Sequence, residues 1–176
     1  MSAPAQPVNA PTTPAALATG KHTISCLVEN QFGVLARISG LISARAFNID
    51  SLTVSATEDP TVSRMTIVVD ADTLKLEQVK RQLNRLIDVI EVRELKEGQY
   101  LDRELLLARV NANGTTKATL EQLAATFGAK LADTNDHTVV IEAAGDTKTL
   151  DRLIEQLRPH GITKLVRTGR VALEKS

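Results

Sequence analysis

From residue 23 onward the chain runs in short blocks whose apolar positions repeat every two residues or at helical spacing. Ile24, Cys26 and Val28 alternate with Thr23, Ser25 and Leu27, which predicts a strand with one apolar face. Val34, Leu35, Ile38, Leu41 and Ile42 then recur at helical spacing. Residues 49–57 return to period two, with Leu52, Val54 and Ala56 on one side and Ser51, Thr53, Ser55 and Thr57 on the other. Glu58-Asp59-Pro60-Thr61 predicts a turn, because Asp and Pro favour it. Met65, Ile67 and Val69 alternate with Arg64, Thr66 and Val68 in a further strand, and Asp72 is placed to cap a helix carrying Leu76, Val79, Leu83, Leu86 and Ile87 on one side. Residues 89–95 read as the last strand of this unit, so its order is βαββαβ.

The layout then recurs. Residues 104–110 form an apolar strand, and Asn113-Gly114 precedes a helix with Leu120, Leu123, Ala124 and Phe127 on one face. Residues 130–134 and 137–143 flank Asn135-Asp136 as a hairpin. Leu150, Leu153, Ile154 and Leu157 mark a helix that stops near Pro159 and Gly161, and residues 162–167 close the unit. The expected class is therefore α+β: two ferredoxin-like βαββαβ domains, each an antiparallel sheet with helices on one face. The expected boundaries are a disordered Ala/Pro/Thr tail over 1–20, a first domain over 21–96, a polar linker over 97–102 and a second domain over 103–176. Each unit has one helix-covered face. The opposite faces mix Thr, Ser, Val and Leu, so a partner is expected to cover them by side-by-side sheet pairing or dimerisation.

Composition narrows the function. Lys+Arg and Asp+Glu balance at 21 each, and aromatics make up 2%, which argues against a nucleic-acid partner and against base-stacking platforms. No apolar run is long enough to span a bilayer, so no membrane partner is expected. The single cysteine, Cys26, cannot form an internal disulfide, which fits a reduced, cytoplasmic protein. Four of the six prolines fall at Pro4, Pro7, Pro11 and Pro14, in a segment lacking the basic start and apolar block of a signal peptide. His22, His137, His160 and Cys26 show no metal-ligand spacing, Glu29 and Asp50 are not placed together by anything in the sequence, and no nucleophile elbow or phosphate loop is present. Arg37, Arg45, Arg64 and Arg85 read as solvated or partner-facing.

The most suggestive chemistry lies in residues 29–54. A helix N-terminus offers free N–H groups to a carboxylate, Gly33 lets backbone approach a ligand, and an Asn side chain offers a donor and an acceptor without charge. Asn30 and Asn48 can thus grip the two ends of a zwitterion, with Val34 and Leu35 as an apolar wall. Taken alone, the same residues fit a loop cap, a turn and a helix end equally well.

A resemblance weighs between these readings. Val28-Glu29-Asn30, Gly33-Val34-Leu35, Arg37-Ile38, Leu41-Ile42 and Arg45 lead into Phe47-Asn48-Ile49-Asp50-Ser51-Leu52-Thr53-Val54. Ser63-Arg64-Met65-Thr66-Ile67-Val68, Gln82-Leu83-Asn84-Arg85-Leu86-Ile87-Asp88-Val89, Arg103-Glu104-Leu105 and Arg167-Thr168-Gly169 follow. The first half resembles an ACT domain, and residues 22–173 resemble the regulatory (small) subunit of acetohydroxyacid synthase, also called acetolactate synthase. The resemblance implies a homodimer that is not itself catalytic. It binds no cofactor, and it activates a large catalytic subunit that carries thiamine diphosphate, Mg²⁺ and FAD. It confers feedback inhibition by valine or other branched-chain amino acids. The effector is implied to sit between two ACT domains, with Asn30 and Gly33 from one chain and Asn48 from the other; their neighbours Phe32, Val34, Leu35 and Ile49 complete the expected set. Phe32 stands where the family usually has Pro or a small residue, and Asp50 where Glu is commoner. A free-standing amino-acid sensor acting on another enzyme or on transcription is the alternative.

Overall fold

The computed structural model describes residues 20–44, 47–113 and 115–176, with Thr115 described in its main chain only. Arg45, Gly114 and the Ala/Pro/Thr segment up to residue 19 lie outside the described residues. The first half runs β1 (Gly20–Glu29), α1 (Val34–Ser43), β2 (Ile49–Ala56), β3 (Val62–Ala71), α2 (Thr73–Leu83) and β4 (Val89–Leu95). The second runs β5 (Tyr100–Asn111), α3 (Thr115–Thr126), β6 (Lys130–Thr134), β7 (Thr138–Gly145), α4 (Thr147–Leu157), β8 (Ile162–Arg167) and β9 (Val171–Glu174).

The sheets are antiparallel, in the orders β2-β3-β1-β4 and β6-β7-β5-β8, the doubled ferredoxin-like arrangement expected from the patterning. Two cores follow from the two periodicities. Ile24, Cys26 and Val28 of β1 face Val34, Ile38 and Ile42 of α1 together with Leu76, Val79 and Leu83 of α2. Leu106, Ala108 and Val110 of β5 face Leu120 of α3 and Leu150, Leu153 and Leu157 of α4. Burying such a side chain contributes about 1.5–3 kcal/mol each, which is what pins the helices to one face.

Three features differ from the sequence pattern. Helix α2 stops at Leu83, so Leu86 packs on the core from the following turn while Ile87 stands in solvent. The helical spacing of 76–87 therefore overstates the helix by a turn. Strand β5 begins at Tyr100, and its first residues pair with β9, a strand too short to leave a periodic signal. Finally, Thr23, Ser25 and Thr66, on the face of the first sheet away from its helices, are buried. The cover comes from this same chain: the turn at 168–170 sits against Ser51 and Thr53 of β2, and Arg170 reaches Thr23.

Candidate functional site

The corner between β1 and α1 is tied to its neighbours by main chain. The Glu29 N–H donates to the Asp88 carbonyl at 2.9 Å, and the Asn30 N–H donates to the Thr61 carbonyl at 2.7 Å. The Asn30 Nδ2 also donates, to the Pro60 carbonyl at 2.9 Å, so this amide secures the β2–β3 turn. Its Oδ1 makes no hydrogen bond among the described residues. Gly33 is the N-cap of α1 with φ 86°, a left-handed conformation that glycine adopts without the penalty a Cβ brings. The Val34 N–H makes a long contact to the Gln31 carbonyl at 3.5 Å, but with no side chain to cap and no acidic residue in the first turn, the next amides of α1 keep their donor capacity and positive dipole end. Phe32 is fully exposed and Leu35 half exposed. Val34, at 3% exposure, turns into the core with Ile38 and Ile42. The wall expected of Val34 and Leu35 thus falls to Leu35, because the helical period commits Val34 to the core.

Asn48 lies at the other end of the sheet. Its Nδ2 donates to Asp50 Oδ1 at 2.9 Å, and Asp50 Oδ2 meets Lys21 Nζ at 2.9 Å. The β2–β3 register slips between Ile49 and Ser51, leaving Asp50 as the extra residue of a bulge. The bulge lets Ile49 pack toward the core while Ser51 faces the opposite side of the sheet. Strand β3 pairs with Glu29 at Val62 and with Ile49 at Val69. That interval of strand is about 23 Å at the usual rise per residue, far longer than a free amino acid. Within one chain the structure therefore does not bring Asn30 and Asn48 together.

The remaining candidates sort by partner. Arg37 lays its guanidinium on Asp88, with both N–H···O contacts at 2.8 Å, and Asp88 is buried. Arg64 donates to Ser25 Oγ at 3.0 Å. Nothing in the local pattern links positions 37 and 88, so the Arg37–Asp88 pair is visible only in the fold. Glu29 and Asp50 sit at opposite ends of the first sheet, and His22 pairs with Glu94 at 3.3 Å. Among the described residues no group of three or more His, Cys, Asp or Glu is arranged to hold a metal ion. Burial pushes the Cys26 thiol up to about 12, so it is a closed core residue rather than a nucleophile. No helix among the described residues is long and apolar enough to cross a membrane.

This architecture has solved and curated counterparts. The crystal structure of an acetolactate synthase small subunit from Thermotoga maritima superposes with a TM-score of 0.82 at 30% identity, covering 89% of this chain and 98% of that one. The acetolactate synthase small subunit of Mycolicibacterium smegmatis is 43% identical over 89% of this chain and 92% of its own length. The probable small subunit of Archaeoglobus fulgidus is 46% identical over 87% and 96%. The family model for the AHAS small subunit-like ACT domain matches residues 24–91, and that for the small subunit of acetolactate synthase matches residues 103–176. The chain belongs to the acetolactate synthase small-subunit family. It is accordingly a small regulatory subunit and not the catalytic one, with the ACT module preceding the C-terminal one. The corner at Asn30 and Gly33, the strand start at Asn48 and the Arg37–Asp88 pair all fall inside the ACT module.

Proposed function

We propose that this chain pairs with a second copy of itself, binds the large catalytic subunit of acetolactate synthase, raises its activity and makes it sensitive to feedback inhibition by valine and related branched-chain amino acids. The thiamine diphosphate, Mg²⁺ and FAD of the reaction belong to the large subunit. A lone buried thiol suits work in the cytoplasm.

The observation that carries the effector reading is the placement of the two asparagines. Asn30 sits beside the β2–β3 turn, and Asn48 sits at the start of β2. Strand β2 is an edge of its sheet. If two copies join antiparallel along this edge, the start of one β2 lies beside the end of the other. Asn48 of each copy then approaches Asn30 and Gly33 of its mate, once on each side of the two-fold axis. The effector carboxylate meets the uncapped amides of α1, its ammonium meets asparagine oxygen, and its side chain lies against Leu35 and Phe32. Ile49 and Val34 support the site from the core side.

Burying a valine side chain is worth at most about 1.5–3 kcal/mol. One methylene discriminates by about 1–3 kcal/mol, so leucine and isoleucine are expected as weaker or comparable effectors. The test is Asn30→Ala in an assay reconstituted with the large subunit, titrated with valine and referenced to the valine-free rate of the same preparation. Loss of inhibition is expected. Inhibition at wild-type valine concentrations would remove Asn30 from the site.

A further inference from the structure

We propose that the turn at Thr168, Gly169 and Arg170 is a latch on strand β2, which carries the effector state of the ACT module into the C-terminal domain, with Thr53 and Arg170 as its positioning residues. The inference rests on the effector reading above.

Strand β2 touches both the effector corner and the turn. It starts beside Asn48, whose amide is held by the bulged Asp50. One residue later, Ser51 Oγ accepts from the Arg170 N–H at 3.2 Å, and Thr53 Oγ1 donates to the Arg170 carbonyl at 2.6 Å. Gly169 has φ 84°, and a Cβ there would lie 3.1 Å from both Cβ and Oγ of Ser51. The turn therefore presses main chain directly against the strand, with no slack for a side chain between them.

Behind the turn, the Arg170 side chain is mostly buried and its donors are spent across both domains. It donates to Thr23 Oγ1 of β1 at 2.6 Å, to the Tyr100 hydroxyl at 3.1 Å and to Thr147 Oγ1 at 2.9 Å, and it lies 3.4 Å from Asp102. Thr147 opens α4 and donates to Glu104 Oε1 at 2.5 Å, while the other oxygen of Glu104 accepts from Arg167 Nε at 2.8 Å. A polar chain thus runs from β2 through Arg170 to the start of α4 and to β5 and β8, the framework of the second core. Beside it an open groove borders Asp50, Ser51, Gly169 and Arg170. A guanidinium so enclosed does not give up partners one at a time without an unsatisfied donor, so the turn either follows β2 or releases it.

Hydrogen exchange on the complete complex, with and without valine, tests this. In the wild type valine is expected to alter exchange at 30–35 and at 168–173 together. In Thr53→Val, which replaces the hydroxyl with a methyl that cannot bond the Arg170 carbonyl, and in Arg170→Lys, which keeps the charge but loses the planar fork, the response at 30–35 persists. There the response at 168–173 falls, and the half-inhibitory valine concentration rises about fivefold or more. A wild type that responds at 30–35 and not at 168–173 overturns the latch even if neither variant folds, and so do folded variants with wild-type inhibition. A wild type silent at 30–35 sinks the effector reading itself, and the latch with it.

Discussion

Helix α1 has Gly33 at its N-cap, whereas α2 and α4 have Asp72 and Asp146. Both aspartates accept an N–H from the first turn of their own helix, Lys75 in one case and Thr149 in the other, at 2.8 Å. Gly33 supplies nothing of the kind. What holds α1 in place is tertiary: the buried row Val34, Ile38 and Ile42, and the two-pronged contact from Arg37 to Asp88. The C-terminal domain closes its α4 helix from within, while the ACT module leaves one helix end chemically open and secures it from the side. An open end stabilised elsewhere suits a site that is filled and emptied. A capped end suits a scaffold.

The sharpest way to break this contrast is to give α1 the cap that α2 and α4 possess. Gly33→Asp puts a carboxylate at the helix start, where it competes with an effector carboxylate for the same amides. The new Cβ lies 3.4 Å from Arg37 Nη1, an ordinary contact, so the space is available. The left-handed backbone strains any side chain by about 1–2 kcal/mol, and Asp tolerates it better than most. The expected outcome is a folded subunit with no valine response, read by calorimetry with valine and by inhibition in the reconstituted assay. Normal valine binding would mean that the open end of α1 is not where the effector docks.

The ion pairs of the two halves extend the comparison at lower amplitude. Glu104 and Arg167 retain 6% and 24% of their side-chain exposure, while Asp88 and Arg37 retain 10% and 48%. Glu104 also accepts from Thr147, so it anchors three elements. Glu104→Gln is expected to cost about 2–3 kcal/mol, because a charge-assisted network is weakened where water cannot replace it. Asp88→Asn is expected to cost only about 1 kcal/mol, because Arg37 is half in solvent and its share is screened. Denaturant midpoints of the two variants measure the difference. Equal losses would mean that the ACT corner is as rigidly pinned as the scaffold.

Most of the framework was legible because it is local. The alternation in β1, the helical row of α1, the cap at Asp72 and the hairpin at Asn135 each follow from residues a few positions apart. The misses are long-range or short. Strand β9 has four residues and gains its meaning only from the start of β5, more than sixty residues earlier in the chain. Arg170 looks like any surface arginine until the fold brings Thr23, Tyr100 and Thr147 around it. The over-long α2 came from reading Leu86 and Ile87 as further helical turns. Of the residues proposed for the effector site, Asn30, Gly33 and Asn48 stood out in the sequence by their chemistry and by the resemblance. The helical row already held Val34 beside Ile38 and Ile42, but only the fold shows that the two asparagines stand at opposite ends of one sheet.

The smallest expected effect concerns the capped helix itself. The Thr149 backbone N–H, followed by its hydroxyl, holds the Asp146 carboxyl below its ordinary value of 3.8. A carboxyl lowered in the folded state stabilises fold only when ionised. Its contribution is therefore fully present above the unfolded value and fades as pH falls through the lower folded one. Asp146→Ala should cost about 1 kcal/mol at neutral pH. The gap in melting temperature between wild type and variant should then narrow as the pH is taken below 3.8. A gap that stays constant over that range would show that the cap acts through loop geometry rather than through charge. The contrast between a charged, self-closed α4 and an open α1 would then have to rest on the ligand experiments alone.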